Sequence, residues 1–118
     1  MAALVVKVTC GTDRVETLMQ AFTVAATGAA AGLDVSLWLT GDATLHALDG
    51  AEDVHLPHSP PLSQLRDAVL AAGTLTVCAQ CAARREITQA NLVPGARIAG
   101  AATFVAEATA TDATALVY

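Results

Sequence analysis

The sequence predicts an α/β fold: one domain, residues 1-118, built on a five-stranded parallel sheet with helices on both faces. Three observations predict it. Short β-branched runs alternate along the chain with longer, alanine-rich runs of helical period. The strand runs are apolar throughout, as in strands covered on both sides. The length of 118 residues fits a single domain and permits a core without disulfide or metal staples.

The elements follow in order. Ala3–Thr9, "ALVVKVT", is a β-branched run of strand length, and "CGTD" breaks it. Asp13 with Glu16 three residues on reads as a helix N-cap. Val15, Leu18, Met19, Phe22, Ala25, Ala26 and Ala29 then recur at helical spacing, and Gly32 is the stop. Asp34–Thr40, "DVSLWLT", is the second strand. "GD" follows, then a short helix over Ala43–Leu48. Asp49–Pro61, with two histidines and three prolines, is the main loop. Leu62–Ala72 is a helix with Leu62, Leu65, Val69 and Ala72 on one side. Thr74–Cys78 is the third strand, and a helix from Ala79 to Arg85 follows. "ITQANLVPG" makes a turn before the fourth strand, Ala96–Gly100. A helix over Ala101–Ala110 and a strand over Thr114–Tyr118 end the chain.

Strands that alternate with helices imply parallel pairing through right-handed crossovers. The order expected is the flavodoxin-like 2-1-3-4-5. In such sheets ligands sit beyond the carboxyl ends of the strands, where the strand order reverses. That point would fall between strands 1 and 3, bringing Cys10 and Cys78 together at one edge.

Composition narrows the function. Hydrophobic residues make up 54% of the chain and charged residues 14%, against about 25% charged in an average soluble domain. So apolar an exterior points to a homo-oligomer. The net charge is −5, aromatics are 3%, and the only basic cluster is Arg84–Arg85. Neither nucleic acid nor a membrane surface is an expected partner. The apolar N-terminus lacks a basic region and reads as a strand, and the charge-free stretch from Thr17 to Leu33 is too short and polar for a membrane span. The expected compartment is the cytoplasm, where three cysteines, an odd number, stay reduced.

The stretch that carries chemistry is Leu75–Glu86, "LTVCAQCAARRE". Cys78 stands at a strand-to-helix junction, near backbone N–H groups and ahead of two arginines, a setting that favours a nucleophilic thiolate. Cys81 makes C-x-x-C, one helical turn on. A thioredoxin-type motif opens a helix after a different strand, so that reading is weak here. Zinc would need four ligands, and His46, His55 and His58 show no partner spacing, so no metal is expected. No glycine-rich phosphate loop is present. Cys10, Gly11 and Thr12 of "CGTD" and Gly41 and Asp42 of "TGD" end strands at the same edge. They are candidates for lining the site, with helix capping as the alternative. For Cys78 and Cys81 the bland alternative is a pair of buried structural thiols.

These residues resemble the DsrE/DsrF/TusD-like (YchN-like) family of small sulfur-relay proteins. The resemblance rests on "LTVCAQCAARRE", on the ending "NLVPGARIAGAATFVAEATATDATALVY" and on the opening "VVKVTCGT", in that order. It implies a flavodoxin-like fold, a homotrimer or hexamer, and a persulfide carried on Cys78. It also implies protein sulfur donors and acceptors and no organic cofactor. Two departures stand out: Cys81 occupies a position where a small residue is usual, and Glu86 replaces a glycine. A second thiol beside the carrier would suit a dithiol reductase. Three functions therefore stand: a sulfurtransferase with Cys78 as carrier, a dithiol redox protein using Cys78 and Cys81, and a non-catalytic oligomeric binding module.

Overall fold

In the computed structural model, which describes residues 2–118, the five strands are β1 (Ala3–Val8), β2 (Asp34–Leu39), β3 (Thr74–Cys78), β4 (Arg97–Ala99) and β5 (Ala113–Val117). Every pairing among them is parallel. The helices are α1 (Val15–Ala30), α2 (Leu62–Ala72), α3 (Ala79–Arg84) and α4 (Ala101–Ala108), with 3-10 turns at Thr12–Arg14, Gly41–Ala47 and Gln89–Asn91. The fold class is therefore the one expected. Boundaries agree to within one residue for most elements; α4 stops two residues early, and Gly41–Ala47 winds as 3-10.

The strand order is β4-β3-β2-β1-β5, which corrects the expected 2-1-3-4-5. Strand β2 lies between β1 and β3, so Cys10 and Cys78 do not end neighbouring strands. Right-handed crossovers are compatible with either order, and the strand sequences carry nothing that chooses between them.

The observed order explains where the helices lie. From β1 to β4 the chain steps across the sheet in one direction, and right-handed crossovers then put α1, α2 and α3 on one face. The last connection steps back across the whole sheet to β5, so α4 crosses the opposite face. The core agrees. Val6, Val8, Val35, Leu37, Leu39, Leu75 and Val77 pack with Leu18, Phe22, Leu65 and Val69 of α1 and α2. On the second face, Trp38 meets Phe104 of α4 edge-on, ring centroids 5.4 Å apart.

The second face is polar where the first is apolar. Ser36 and Trp38 Nε1 both donate to Glu107 Oε1, at 2.5 and 3.0 Å. Arg97 donates to Thr76 Oγ1 at 2.8 Å and pairs with Glu107 Oε2 at 2.6 Å. At the start of α1, Asp13 does not cap the helix; its Oδ1 accepts the Gly11 N–H at 3.0 Å, within the 3-10 turn that precedes α1. Gly32, at φ +85, closes the helix as expected.

Candidate functional site

Cys78 is the last residue of β3 and the N-cap of α3, half-buried. The sharp change of direction there turns the first N–H groups of α3 toward its sulfur. Burial pushes the thiol up. The Cys81 N–H, the Cys81 thiol, the Gln80 N–H and the charge of Lys7 outweigh it, and Cys78 ends below the ordinary thiol range. A thiolate held this way is the reactive form of cysteine.

The sulfur opens on the second face of the sheet. With Lys7 of β1, Trp38 and Thr40 of β2, Gln80, and Ala101 and Phe104 of α4, Cys78 lines a cavity of 110 Å³. Register explains the gathering. Lys7 pairs with Trp38 and Trp38 with Thr76, so the three stand in one row across the sheet. Cys78 is two residues beyond Thr76 on the same face. Lys7 Nζ sits 5.0 Å from the centre of the Phe104 ring, a cation–π distance.

Cys81 is buried and held from two sides. Gly41 N–H approaches its sulfur at 3.2 Å and Arg84 Nη1 at 3.9 Å. The two arginines divide their work. Arg84 reaches Cys81, while Arg85 clasps Asp42 Oδ1 through Nη2 at 2.8 Å and Nε at 3.2 Å and donates to the Cys81 carbonyl at 3.2 Å. The loop after β2 is thereby fixed to the middle and the C-terminal end of α3. Gly41 is required there: it has φ +55, and a Cβ would come within 2.9 Å of the Thr9 carbonyl oxygen.

Of the other expected site residues, Gly41 and Asp42 join the cysteine pair through Cys81 and Arg85. Gly11 touches Asp42, whose Cβ lies 2.9 Å from where its own would be. Cys10 does not join them. It is buried, its thiol directed at the Arg14 carbonyl at 3.8 Å, and burial pushes it above the ordinary thiol range. Thr12 lines a separate 590 Å³ groove with His46, Glu52 and His55. No group of three or more His, Cys, Asp or Glu side chains among the described residues is placed to hold a metal ion. No helix among them is long and apolar enough to cross a membrane.

Lys7, Trp38 and Phe104 were not legible as site residues. The signal was present in part. Lys7 is a lone charge inside an apolar strand and Trp38 the only tryptophan, but joining them to Cys78 requires the strand order.

Comparison with known proteins agrees with this architecture. The model of the DsrE/DsrF-like family matches residues 4–114. Among solved structures, the YchN protein of E. coli superposes with a TM-score of 0.83 at 20% identity, covering 100% of both chains. MTH1491 of Methanobacterium thermoautotrophicum, described as a protein of unknown function, superposes with a TM-score of 0.73 at 8% identity, again over 100% of both. At these identities the two structures speak for the fold alone. No curated protein matches the chain.

Proposed function

The chain belongs to the DsrE/DsrF-like family, and from that premise we propose that it is a small sulfur-transfer protein that carries a persulfide on Cys78. The observation that carries the reading is the place of Cys78 at the β3–α3 junction, facing a small cavity that Lys7 also lines, where the neighbouring N–H groups and the Lys7 charge lower its thiol. The Cys78 thiolate attacks the outer sulfur of a donor persulfide, R–S–SH. The donor S–S bond breaks, R–S⁻ leaves with the electron pair, and Cys78 holds the sulfur as Cys–S–SH. An acceptor thiolate repeats the step and restores the Cys78 thiolate. No net oxidation occurs, so no redox cofactor enters. The partners are a sulfur donor and a sulfur acceptor, and further copies of this chain in a homo-oligomer.

One observation favours a second reading. Cys81 stands one helical turn from Cys78 in α3 and helps to lower its thiol, so it is placed to attack a persulfide or mixed disulfide there, closing a Cys78–Cys81 disulfide and releasing hydrosulfide or the thiol, with an external thiol reductant needed to reopen the disulfide.

Intact mass after incubation with a persulfide donor, followed by peptide mapping, separates the two. A carrier gains one sulfur on Cys78, loses that gain in Cys78→Ser and keeps it in Cys81→Ser. A Cys78–Cys81 disulfide with no added sulfur, and turnover abolished by Cys81→Ser, would replace the carrier reading by the dithiol one.

A further inference from the structure

We propose that the cavity beside Cys78 is the seat of the transferred sulfur and that Lys7 is its binding residue, holding the outer sulfur of the persulfide as an anion. The inference rests on the carrier reading above and adds to it a second residue. The cavity, 110 Å³ in volume, opens directly beside the Cys78 sulfur and has room for the transferred sulfur.

The outer sulfur of Cys78–S–S⁻ carries a full negative charge, and a charge in a partly dry cavity needs a counter-charge. The ammonium of Lys7 lines the same cavity. It has no carboxylate partner among the described residues, whereas the other two charges of this face, Arg97 and Glu107, are paired with each other at 2.6 Å. Arg84, on the far side of α3, is directed at Cys81. Phe104 holds the Lys7 head by its ring face, 5.0 Å away, a contact that positions the ammonium without neutralising it. The strand supplies the rest. Lys7 is the one charged residue of β1 and stands in the row that runs through Trp38 toward Cys78.

The transfer step stays balanced. Lys7 donates a hydrogen bond to the departing and arriving sulfur and exchanges no electrons; the proton of R–S–SH is released as the outer sulfur ionises.

The test compares wild type with Lys7→Met, which keeps length and removes charge, and Lys7→Arg, which keeps charge. Two readouts are taken on each folded protein: the rate of sulfur loading on Cys78 from glutathione persulfide, and the pH profile of Cys78 alkylation by iodoacetamide, mapped by peptide. We expect Lys7→Met to load about tenfold more slowly and to shift the alkylation profile to higher pH, with Lys7→Arg recovering most of both. Wild-type loading and a wild-type profile in Lys7→Met would overturn the role of Lys7 and leave the carrier reading standing. A wild-type protein that takes no sulfur at all, whatever its alkylation profile, would overturn the carrier reading and this inference with it. Equal slowing in Lys7→Met and Lys7→Arg, with unchanged profiles, would mean that Lys7 serves packing against Phe104 and would also overturn the charge argument.

Discussion

Cys81 has two separate duties, and they predict different things. It helps to hold the Cys78 thiol below its ordinary range, while its own sulfur accepts from Gly41 N–H and from Arg84. Removing the thiol deprives the Cys78 thiolate of a donor. In Cys81→Ala the alkylation profile of Cys78 therefore moves to higher pH, because the charged form loses support and the neutral form does not. Cys10, pushed up by burial and enclosed in the core, alkylates more slowly than Cys78 at every pH. A Cys81→Ala profile that matched wild type would mean that the neighbouring thiol does not stabilise the Cys78 thiolate. Gly41→Ala attacks the same arrangement from the backbone side. It forces a left-handed residue and a 2.9 Å contact with Thr9 oxygen, so a loss of about 1–3 kcal/mol is expected in denaturant melts. At this scale the sequence was legible for Cys78, Cys81, Gly41 and Asp42, because strand-to-helix junctions and glycine turns are local signals. It was misleading for Cys10 and silent on Lys7, because their neighbours are set by strands far off in the chain.

At the scale of elements, α4 is the informative case. The sequence marks it as a helix by its alanines, yet none of its residues is fully buried. Its apolar contact is Phe104 against Trp38, and polar anchoring adds to it. Glu107 accepts from Ser36 and Trp38 of β2 and pairs with Arg97 of β4. One side chain thus ties α4 to strands on which it only rests. Burial alone would raise the Glu107 carboxyl, but these three partners and the Arg97 charge hold it below the usual carboxylate range. Its folded value is depressed, so its contribution to stability is complete above the unfolded carboxylate value of about 4.3 and is lost as pH falls through the lower folded value. Glu107→Ala leaves Trp38 Nε1 and Arg97 without their acceptor and should cost roughly 1–3 kcal/mol at neutral pH. Urea midpoints of wild type and variant should then converge as the solution is acidified. A gap that persisted unchanged well into acid would show that the loss is one of packing rather than of the carboxylate. The helices and strands themselves were legible because their periods are local; that α4 crosses the face opposite α1 to α3 was not, since it follows from the last crossover running back across the sheet.

At the scale of the whole molecule, the strand order locates the apolar exterior that the composition predicts. An average domain hides its apolar residues, but β5 ends the sheet as an open edge, with Leu116 37% and Val117 63% exposed. Val105 of α4, which packs on β5, is 56% exposed. An apolar edge strand beside an apolar helix face is a surface that folded proteins ordinarily cover, since a bare edge invites further pairing. The 14% charge content leaves few side chains to shield it. A stable contact buries about 800 Å² per partner, which the 6035 Å² surface of this chain supplies readily. The occupant most available to such a chain is a second copy, since like subunits bring the same bare edge to each other. The expectation is a homo-oligomer at micromolar concentration in sedimentation velocity. The double variant Val105→Glu with Val117→Glu should sediment as a monomer, because burying two carboxylates against an apolar partner costs several kcal/mol per ion. Leu45→Glu, at an exposed position of the otherwise mostly buried 3-10 turn Gly41–Ala47, should leave the assembly as it was, and circular dichroism should show all variants folded. A wild-type monomer would remove the homo-oligomer altogether. An oligomer dissociated by Leu45→Glu and untouched by the α4–β5 pair would move the interface to the groove of Thr12, His46 and His55, on a different part of the surface.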